Sequence, residues 1–282
     1  MTVDTFRDKL ISQKTCTILP GVYDSLTTML TAQAGFDACV ITGYSASATL
    51  LGKPDLGIMT QSELLDLTRR ICWNSDLYTI VDGDTGHGGV LNVERLIKEL
   101  LKIGANGVIL EDQAWPKRCG HMENKTIVPI VEHINKLKMA IDTRVDDEFV
   151  IIARTDARAC HGLEDAIDRA NRYAEAGADL VFVEAPQSVE ELSLIAQQVK
   201  APLVANIVFG GKTPILSSDE LSELGYSVVL YPLVSLYAAT YGIRDALSAL
   251  KKNQSYPNSV DFNTFNRLIG LNDYFKKLEK LT

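Results

Sequence analysis

The sequence has no basic stretch, no long apolar run and no paired cysteine pattern. Lysine and arginine total 28 against 36 aspartates and glutamates, so the formal net charge is −8. Because no run of positive charge could follow a phosphate backbone, we expect no nucleic-acid partner. No apolar segment approaches the roughly 18 residues of a membrane helix, so we expect no membrane partner either.

The cysteine content argues against a disulfide framework and against a structural zinc site. The count is odd and the spacing matches neither pattern. We therefore expect reduced thiols and a cytoplasmic protein. The five positions are Cys16, Cys39, Cys72, Cys119 and Cys160.

Short β-branched runs alternate with longer amphipathic segments along the whole chain. The runs CVIT, GVIL, VIIA and LVFV are almost entirely apolar, which is typical of parallel strands buried on both faces. Helical segments between them often end in glycine, a common C-terminal cap. The predicted strands are Thr17–Leu19, Ala38–Thr42, Tyr78–Asp82, Gly107–Glu111, Phe149–Arg154, Leu180–Glu184, Leu203–Asn206 and Ser227–Tyr231.

Eight strand–helix units in under 300 residues predict an α/β fold of the (β/α)₈ TIM barrel type. An open doubly wound sheet is the alternative, but the first strand leads into LPGVYDS and lacks a GxGxxG phosphate loop. No linker composition interrupts the chain. We expect a catalytic barrel over residues 1–250 and a C-terminal helical extension over 251–282.

Acidic side chains follow the predicted third and fourth strands, where a barrel places its active site. Asp82 and Asp84 are two residues apart, so strand alternation would place both on one face. Taken alone, one could cap the next helix and the other face solvent. Because Glu111 ends the following strand, we favour a Mg²⁺ site, since this ion takes oxygen ligands.

The segment AWPKRCGHMENKTIVP after Glu111 is long and polar, as active-site lids often are. It contains Cys119, between Arg118 and His121. Nearby positive charge would lower the pKa of this thiol and make it a usable proton donor or nucleophile. The alternative is an unreactive exposed thiol, and the other four cysteines are interpreted as structural.

Two further polar residues end apolar strands. Arg154 could clamp a carboxylate with two hydrogen bonds, form a structural ion pair with Asp156 or Glu184, or do both. Asn206 could donate to a substrate carboxylate or fix a loop. Among the histidines, His133 and His161 are expected at the surface, and His87 follows the acidic pair.

Several of these segments together resemble the isocitrate lyase/phosphoenolpyruvate mutase superfamily. The segments are YSASATLLGKPD, VDGDTGHGG, LEDQAWPKRCGHMENK, ARTDAR and FVEAP, and the resemblance runs from about Pro20 to about Leu250. The KRCGH sequence is typical of the lyase branch, and the segments resemble those of petal death protein, 2,3-dimethylmalate lyase and methylisocitrate lyase. It implies a homotetramer that exchanges its last barrel helix between subunits.

The resemblance also implies a role for each site residue. Asp82 would bind Mg²⁺ directly, with Mn²⁺ as an expected substitute, while Asp84, Glu111 and Asp55 would join through water or hydrogen bonds. The substrate implied is a small dicarboxylate. The residues implied to contact it are Tyr44, Ser45, Ala46, Gly120, His121, Arg154, Asn206 and Pro232. Arg154 would bind a carboxylate and the developing charge, Glu184 would orient Arg154 or a water ligand of the metal, and Cys119 would protonate the carbanion. The implied catalytic residues are Tyr44, Cys119, Arg154 and Glu184.

The implied reaction is magnesium-dependent cleavage of a carbon–carbon bond in a 2-alkylmalate-type or (methyl)isocitrate-like 2-hydroxy acid. The products would be a 2-keto acid such as pyruvate and a carboxylate. Three alternatives remain: hydrolysis of oxaloacetate to oxalate and acetate, phosphonate mutase chemistry, and a non-catalytic barrel that binds a metabolite. The cysteine of the CGH sequence argues against the phosphonate branch, which lacks it.

The chain departs from the family pattern at several positions. His87, Gly88 and Gly89 follow the DTG segment, and Phe209 stands where the family commonly has an acid. Tyr237 stands where methylisocitrate lyases have an arginine for a third carboxylate. We therefore expect a pocket that accepts a dicarboxylate with an apolar substituent and rejects a tricarboxylate, because an unpaired buried carboxylate costs several kcal/mol, on the order of a lost ion pair.

Overall fold

Eight parallel strands form a closed barrel in sequence order, with the first strand hydrogen-bonded to both the second and the eighth. The computed structural model describes residues 5–12, 15–256 and 258–281. This confirms the predicted (β/α)₈ architecture. The strands are β1 (Thr17–Val22), β2 (Ala38–Ile41), β3 (Tyr78–Asp82), β4 (Gly107–Glu111), β5 (Val150–Thr155), β6 (Leu180–Val183), β7 (Leu203–Asn206) and β8 (Tyr226–Tyr231).

Helices follow each strand, and several carry a capping side chain at their first turn. Asp24 and Thr60, for example, each accept a hydrogen bond from a backbone amide three residues on. A π-helical turn spans Ser47–Leu51. The α-helices are α1 (Phe6–Ile11), α2 (Ser25–Gln33), α3 (Gly43–Ala46), α4 (Gln61–Cys72), α5 (Val90–Ile103), α6 (Ile130–Thr143), α7 (Ala157–Cys160), α8 (Leu163–Glu175), α9 (Val189–Gln198), α10 (Ser218–Leu224), α11 (Val234–Lys251), α12 (Phe262–Leu268) and α13 (Leu271–Glu279).

The predicted strand bounds hold for β3, β4 and β7 and differ at the ends of the others. The largest difference is in β1, which continues past the predicted Leu19. Pro20 pairs with Tyr231 of β8 and Gly21 pairs with Val40 of β2, so the strand runs on through residues that usually end one. A Cβ on Gly21 would overlap the backbone of Pro232, which explains the glycine.

Alternate strand residues divide the core into two layers. Val40, Ile80, Ile109 and Ile152 belong to a cluster at the barrel interior. Their neighbours along the strands, such as Ile41, Val81 and Ile151, pack with the helices instead. This is the filled interior that a barrel requires, and the polar residues therefore gather at its end.

The chain forms two compact units, one ending at Leu236 and the other beginning at Tyr237. This division falls within α11, whereas the sequence predicts a boundary after residue 250, and that functional boundary stays a prediction. The predicted C-terminal extension contains two short helices, α12 and α13, because Gly270 adopts φ +79° between them and interrupts the helical segment. Among the described residues, no helix combines the length and apolar character that a membrane span requires.

The expected surface position of His133 is wrong. It lies on the inner face of α6, is fully buried and packs edge-on against Tyr173 with 4.7 Å between ring centroids. The helical spacing that places Leu137 and Ala140 in the core places His133 there as well.

Replacing His133 with phenylalanine is expected to flatten the pH dependence of stability. Burial lowers the pKa of His133 from 6.5 to about 3. Below pH 6.5 the unfolded chain binds a proton at this histidine and the folded chain does not. The free energy of unfolding is therefore highest above pH 6.5 and falls by roughly 1 kcal/mol per pH unit as the pH drops towards 3. Urea unfolding at pH 7, 6 and 5 measures this, and equal slopes in both proteins would contradict it.

Candidate active site

A cavity with an empty volume of about 500 Å³ opens at the carboxyl ends of the strands. The wall also contains apolar side chains, including Val40, Ile109, Phe182 and Leu230. Most of the predicted site residues surround this cavity. Those that line it are Tyr44, Asp55, Asp82, Cys119, Gly120, His121, Arg154, Glu184, Asn206 and Pro232.

Ser45 and Ala46, predicted to bind substrate, do not line the cavity. Both are fully buried in α3. Thr42 caps this short helix, accepting a hydrogen bond from Ser45 N through its side chain, and its carbonyl accepts one from Ala46 N. Ser45 Oγ donates to Pro232 O at 3.3 Å. These two residues therefore form part of the wall behind Tyr44.

Four carboxylates converge at the ends of β3 and β4, with a lysine among them. Lys117 Nζ lies 2.7 Å from Asp55 Oδ1 and 2.6 Å from Asp84 Oδ1. Asp82, whose carboxylate faces the cavity, accepts hydrogen bonds from the amides of Gly43 at 3.2 Å and Asp84 at 3.1 Å. A Cβ on Gly43 would lie 3.0 Å from Asp84 Oδ1, so a side chain at this position would crowd the acidic cluster.

Asp84 reaches this cluster by a different route from the one predicted. β3 ends at Asp82, and Asp84 lies in the turn beyond it with φ +50°. Strand alternation therefore does not set its direction. The left-handed backbone conformation turns the carboxylate towards Lys117, behind the cavity wall, where Asp84 is 2% exposed.

Burial disfavours the charged form of two of these acids. It raises the pKa of Asp84 to about 7, with Lys117 opposing the shift, and raises the pKa of Glu111 well above its usual range. Glu111 Oε2 lies 3.2 Å from Arg154 Nη2, but neither Glu111 oxygen forms a well-directed hydrogen bond within the described chain. An added cation would stabilise both charged forms.

Arg154 projects from β5 into the same region and is held by acids on several sides. Its Nε and Nη2 donate to the two oxygens of Asp156 at 2.9 and 3.1 Å. Nη1 lies 3.5 Å from Glu184 Oε2. The interpretation of Arg154 as part of a structural ion pair with Asp156 therefore holds. Arg154 also lines the cavity, and its binding of a substrate carboxylate stays a prediction.

A second lysine, Lys125, lies in the same loop as Lys117 and Cys119 and is buried. Lys125 Nζ donates to Asp156 Oδ1 at 2.6 Å and to the carbonyl of Gly120. Asp156 N in turn donates to Asp112, a fully buried residue that also accepts hydrogen bonds from Thr155 and Tyr173. Lys125 thus ties the segment beside Cys119 to the acid that holds Arg154.

The environment of Cys119 corrects the sequence prediction of a lowered pKa. Burial raises the pKa of this thiol to about 11. Arg118 is exposed and donates to the carbonyl of Glu123 instead of approaching the sulfur. Burial also lowers the pKa of His121, which leaves it neutral. Cys119 is therefore a thiol at neutral pH, as a proton donor must be.

We expect iodoacetamide to alkylate Cys119 slowly at pH 8 and progressively faster up to about pH 11. Alkylation requires the thiolate, and its fraction rises tenfold per pH unit below the pKa. Mass spectrometry of a Cys119-containing peptide after timed labelling gives the rate. A rate that is already constant between pH 7 and pH 9 would contradict the raised pKa.

His121, Glu184 and Asn206 form a polar wall opposite the acidic cluster. The amide of Lys212 donates to His121 Nδ1 at 3.0 Å, so a neutral ring carries its proton on Nε2. That nitrogen lies 3.4 Å from Glu184 Oε1. Asn206 Nδ2 donates to both Glu184 oxygens at 3.3 Å, while its Oδ1 is buried without a hydrogen bond among the described residues.

Sequence reasoning missed Lys117, Lys125 and the central position of Asp156. Both lysines lie in a polar loop, where lysine is normally solvated. One sequence signal could have identified the two lysines. Four or more carboxylates predicted at one end of a barrel require cations nearby, and these lysines are the nearest ones to Cys119 along the sequence.

Comparisons with known proteins find both similar sequences and similar structures. The family model described as phosphoenolpyruvate phosphomutase matches residues 6–251. Petal death protein of Dianthus caryophyllus is 43% identical, covering 98% of this chain and 88% of its own length. The chloroplastic carboxyvinyl-carboxyphosphonate phosphorylmutase of Arabidopsis thaliana is also 43% identical, with 97% and 83% covered.

Two further similarities are to named enzymes. The 2,3-dimethylmalate lyase of Eubacterium barkeri is 41% identical, covering 93% of this chain and 92% of its own length. The structure of an oxaloacetate acetylhydrolase in complex with 3,3-difluorooxalacetate superposes with a TM-score of 0.93 at 29% identity, covering 98% of this chain and 96% of the other.

Proposed function

The chain belongs to the phosphoenolpyruvate mutase/isocitrate lyase superfamily and is one of its carbon–carbon lyases. On that premise, we propose that it cleaves a 2-alkylmalate-type dicarboxylate with the help of Mg²⁺. The substrate class that fits best is a 2,3-dialkylmalate, split into a 2-keto acid and a carboxylate. The observation that carries the proposal is the convergence of Asp82, Arg154 and the protonated Cys119 on one cavity.

The acidic cluster fits a hard divalent cation. Glu111 and Asp84 have buried oxygens without well-directed hydrogen bonds, and Asp82 presents its carboxylate to the cavity. Mg²⁺ takes oxygen ligands and usually binds through one or two carboxylates while it keeps water or substrate oxygens, which is compatible with these acids. Bound beside Asp82, it would polarise the 2-hydroxyl and its neighbouring carboxylate.

The charged groups of this chain divide the remaining work. Arg154 binds a substrate carboxylate and stabilises the charge that develops there, while Glu184 and Asp156 hold its guanidinium in place. The 2-hydroxyl releases its proton to water, the C2=O double bond forms, and the electron pair of the broken C2–C3 bond stays on C3. Cys119 then delivers its thiol proton to C3, which completes the carboxylate product. The thiolate left after Cys119 has protonated C3 takes a proton back from water, so no net proton is lost or gained.

The cavity wall favours a dicarboxylate over a tricarboxylate. Arg154 is the one guanidinium or ammonium group that lines it within the described chain, and much of the rest of the wall is apolar. His121 and Asn206 can hold a second carboxylate through N–H donors. A third would be buried without a cation, so we propose that 2,3-dimethylmalate is cleaved faster than methylisocitrate.

Oxaloacetate hydrolysis is the second candidate, supported by the close superposition on the oxaloacetate acetylhydrolase structure. A hydrated 2-keto group carries a hydroxyl at the same carbon as a 2-hydroxy acid, so the same side chains could act on it. The phosphonate reaction named for the Arabidopsis relative is less compatible with Cys119, which the proposed lyase uses as its acid.

We also propose a homotetramer in which residues 1–250 form the catalytic barrel and the C-terminal region contacts another subunit. Within the described chain α11 buries no residue, and large apolar side chains such as Tyr241, Leu247 and Phe262 are exposed. Such a surface is typical of an interface. Light scattering should give four times the 31.0 kDa chain mass, and a 31.0 kDa particle would contradict the proposal.

A coupled pyruvate-release assay tests the reaction and its metal requirement. Purified protein should release pyruvate from 2,3-dimethylmalate, lose this activity in EDTA and recover it with excess Mg²⁺. Methylisocitrate and oxaloacetate are assayed in parallel, the latter by oxalate detection. Turnover that persists in EDTA would contradict the metal role, and oxalate as the sole product would establish the second candidate.

A further inference from the structure

A second cavity lies beside the active site and shares no lining residue with it. Its empty volume is about 1100 Å³. It is bounded by the start of α5, the segment before α4 and one face of α6. Met59, Trp115 and Val128 supply an apolar wall, and the proposed reaction uses none of them.

A buried lysine without a counter-ion faces this cavity. Lys136 is 7% exposed, and its Nζ donates one hydrogen bond, to Thr85 O at 3.0 Å. No carboxylate of the described chain forms an ion pair with it, although Glu132 lies on the same wall. An ammonium group has three donors, and buried charges are normally paired. Lys136 therefore has donor capacity for an anion.

Two other features of the wall also present donors. Gly88 and Gly89 line the cavity at the start of the 14-residue helix α5, whose first turn carries the partial positive charge of the helix dipole. The amide of Gly89 donates to Asn92 Oδ1 at 3.2 Å, and the amides of Asn92 and Val93 donate to the carbonyl of Gly89. His87 Nε2 is buried and forms no hydrogen bond with the described residues. His87 also adopts φ +55°, which is uncommon outside glycine.

We propose that this cavity binds a small organic oxyanion, a carboxylate or phosphate joined to an apolar or aromatic body. Lys136, His87 and the amides that begin α5 would face the charged group. The apolar body would lie against Met59, Val128 and the indole of Trp115, which is 52% exposed. This site accounts for His87 and Gly89, two departures from the family pattern that the proposed reaction does not use.

Fluorescence of Trp115 gives a direct test. Trp73 is the other tryptophan in the chain, so the variant Trp73→Phe leaves Trp115 as the sole reporter. Benzoate and phenyl phosphate are titrated as probes, with benzyl alcohol as the uncharged control. We expect at least one oxyanion to give a saturable change, benzyl alcohol to bind at least tenfold more weakly, and Lys136→Met to weaken the oxyanion at least tenfold.

Two further variants separate this site from the active site and from misfolding. Glu132→Gln removes a negative charge from the wall and should raise oxyanion affinity, an effect that misfolding would not produce. Arg154→Lys alters the first cavity alone and should leave the titration unchanged. Equal affinity in Lys136→Met, loss of binding in Arg154→Lys, or no saturable signal with either probe would overturn the proposal.

Discussion

Replacing Cys119 with alanine is expected to lower kcat by about 10²- to 10⁴-fold, the usual contribution of a positioned general acid. The side chain lines the cavity, and burial keeps its thiol protonated well above neutral pH. Alanine leaves the fold and the carboxylate-binding groups in place but supplies no proton to C3. KM should therefore change little, and steady-state kinetics on 2,3-dimethylmalate measures both constants.

Cys72→Ala provides the matched control. Cys72 is half-buried at the end of α4 and does not line the cavity. We expect kcat within about twofold of the original protein, because no reacting group is lost. If Cys119→Ala and Cys72→Ala kept the same kcat, the proton would have to come from another group, and the assigned role would be wrong.

Replacing Lys125 with methionine should destabilise the protein by about 3–5 kcal/mol, as breaking a buried ion pair typically does. Its ammonium neutralises Asp156 and holds the carbonyl of Gly120 beneath the loop. Without it, Asp156 keeps one cationic partner, Arg154, and the loop beside Cys119 loses its anchor. We therefore expect kcat to fall together with stability. Urea unfolding and kinetics at saturating substrate measure the two effects.

Lys212→Met is the control for Lys125→Met. Lys212 pairs with Glu123 of the same loop, but Glu123 is largely exposed. Exposed ion pairs contribute little because solvent screens them, so this variant should remain close to the original in stability. Equal and small losses in both variants would show that burial of the Lys125 pair does not anchor the loop.

The barrel could be predicted because its strands are apolar on both faces and its helices are amphipathic. The ends of strands could not be predicted where pairing with neighbouring strands overrides the local preference of the residues, as at Pro20 and Gly21 in β1. Gly270 divides the terminal helix because it takes a left-handed conformation, which a glycine permits but does not require. His133 shows that helical position, not polarity, decides burial.

The site could be predicted as a set of strand-end residues, but not their electrostatics. Arg118 is adjacent to Cys119 in sequence yet points away from it, so the thiol pKa rises where adjacency predicted a fall. The direction of the Asp84 side chain depends on a turn with positive φ. The position of Lys117 depends on a loop that folds back over β3 and brings its ammonium group to Asp84. These directions arise from tertiary packing, which spacing along the chain does not encode.

The most direct test of the central claim is proton NMR of the products that the purified protein forms from 2,3-dimethylmalate and Mg²⁺. Cleavage of the C2–C3 bond with protonation at C3 must give pyruvate and propionate in equal amounts, and we predict this pair. Unchanged 2,3-dimethylmalate, with oxaloacetate converted to oxalate and acetate by the same sample, would contradict the lyase assignment.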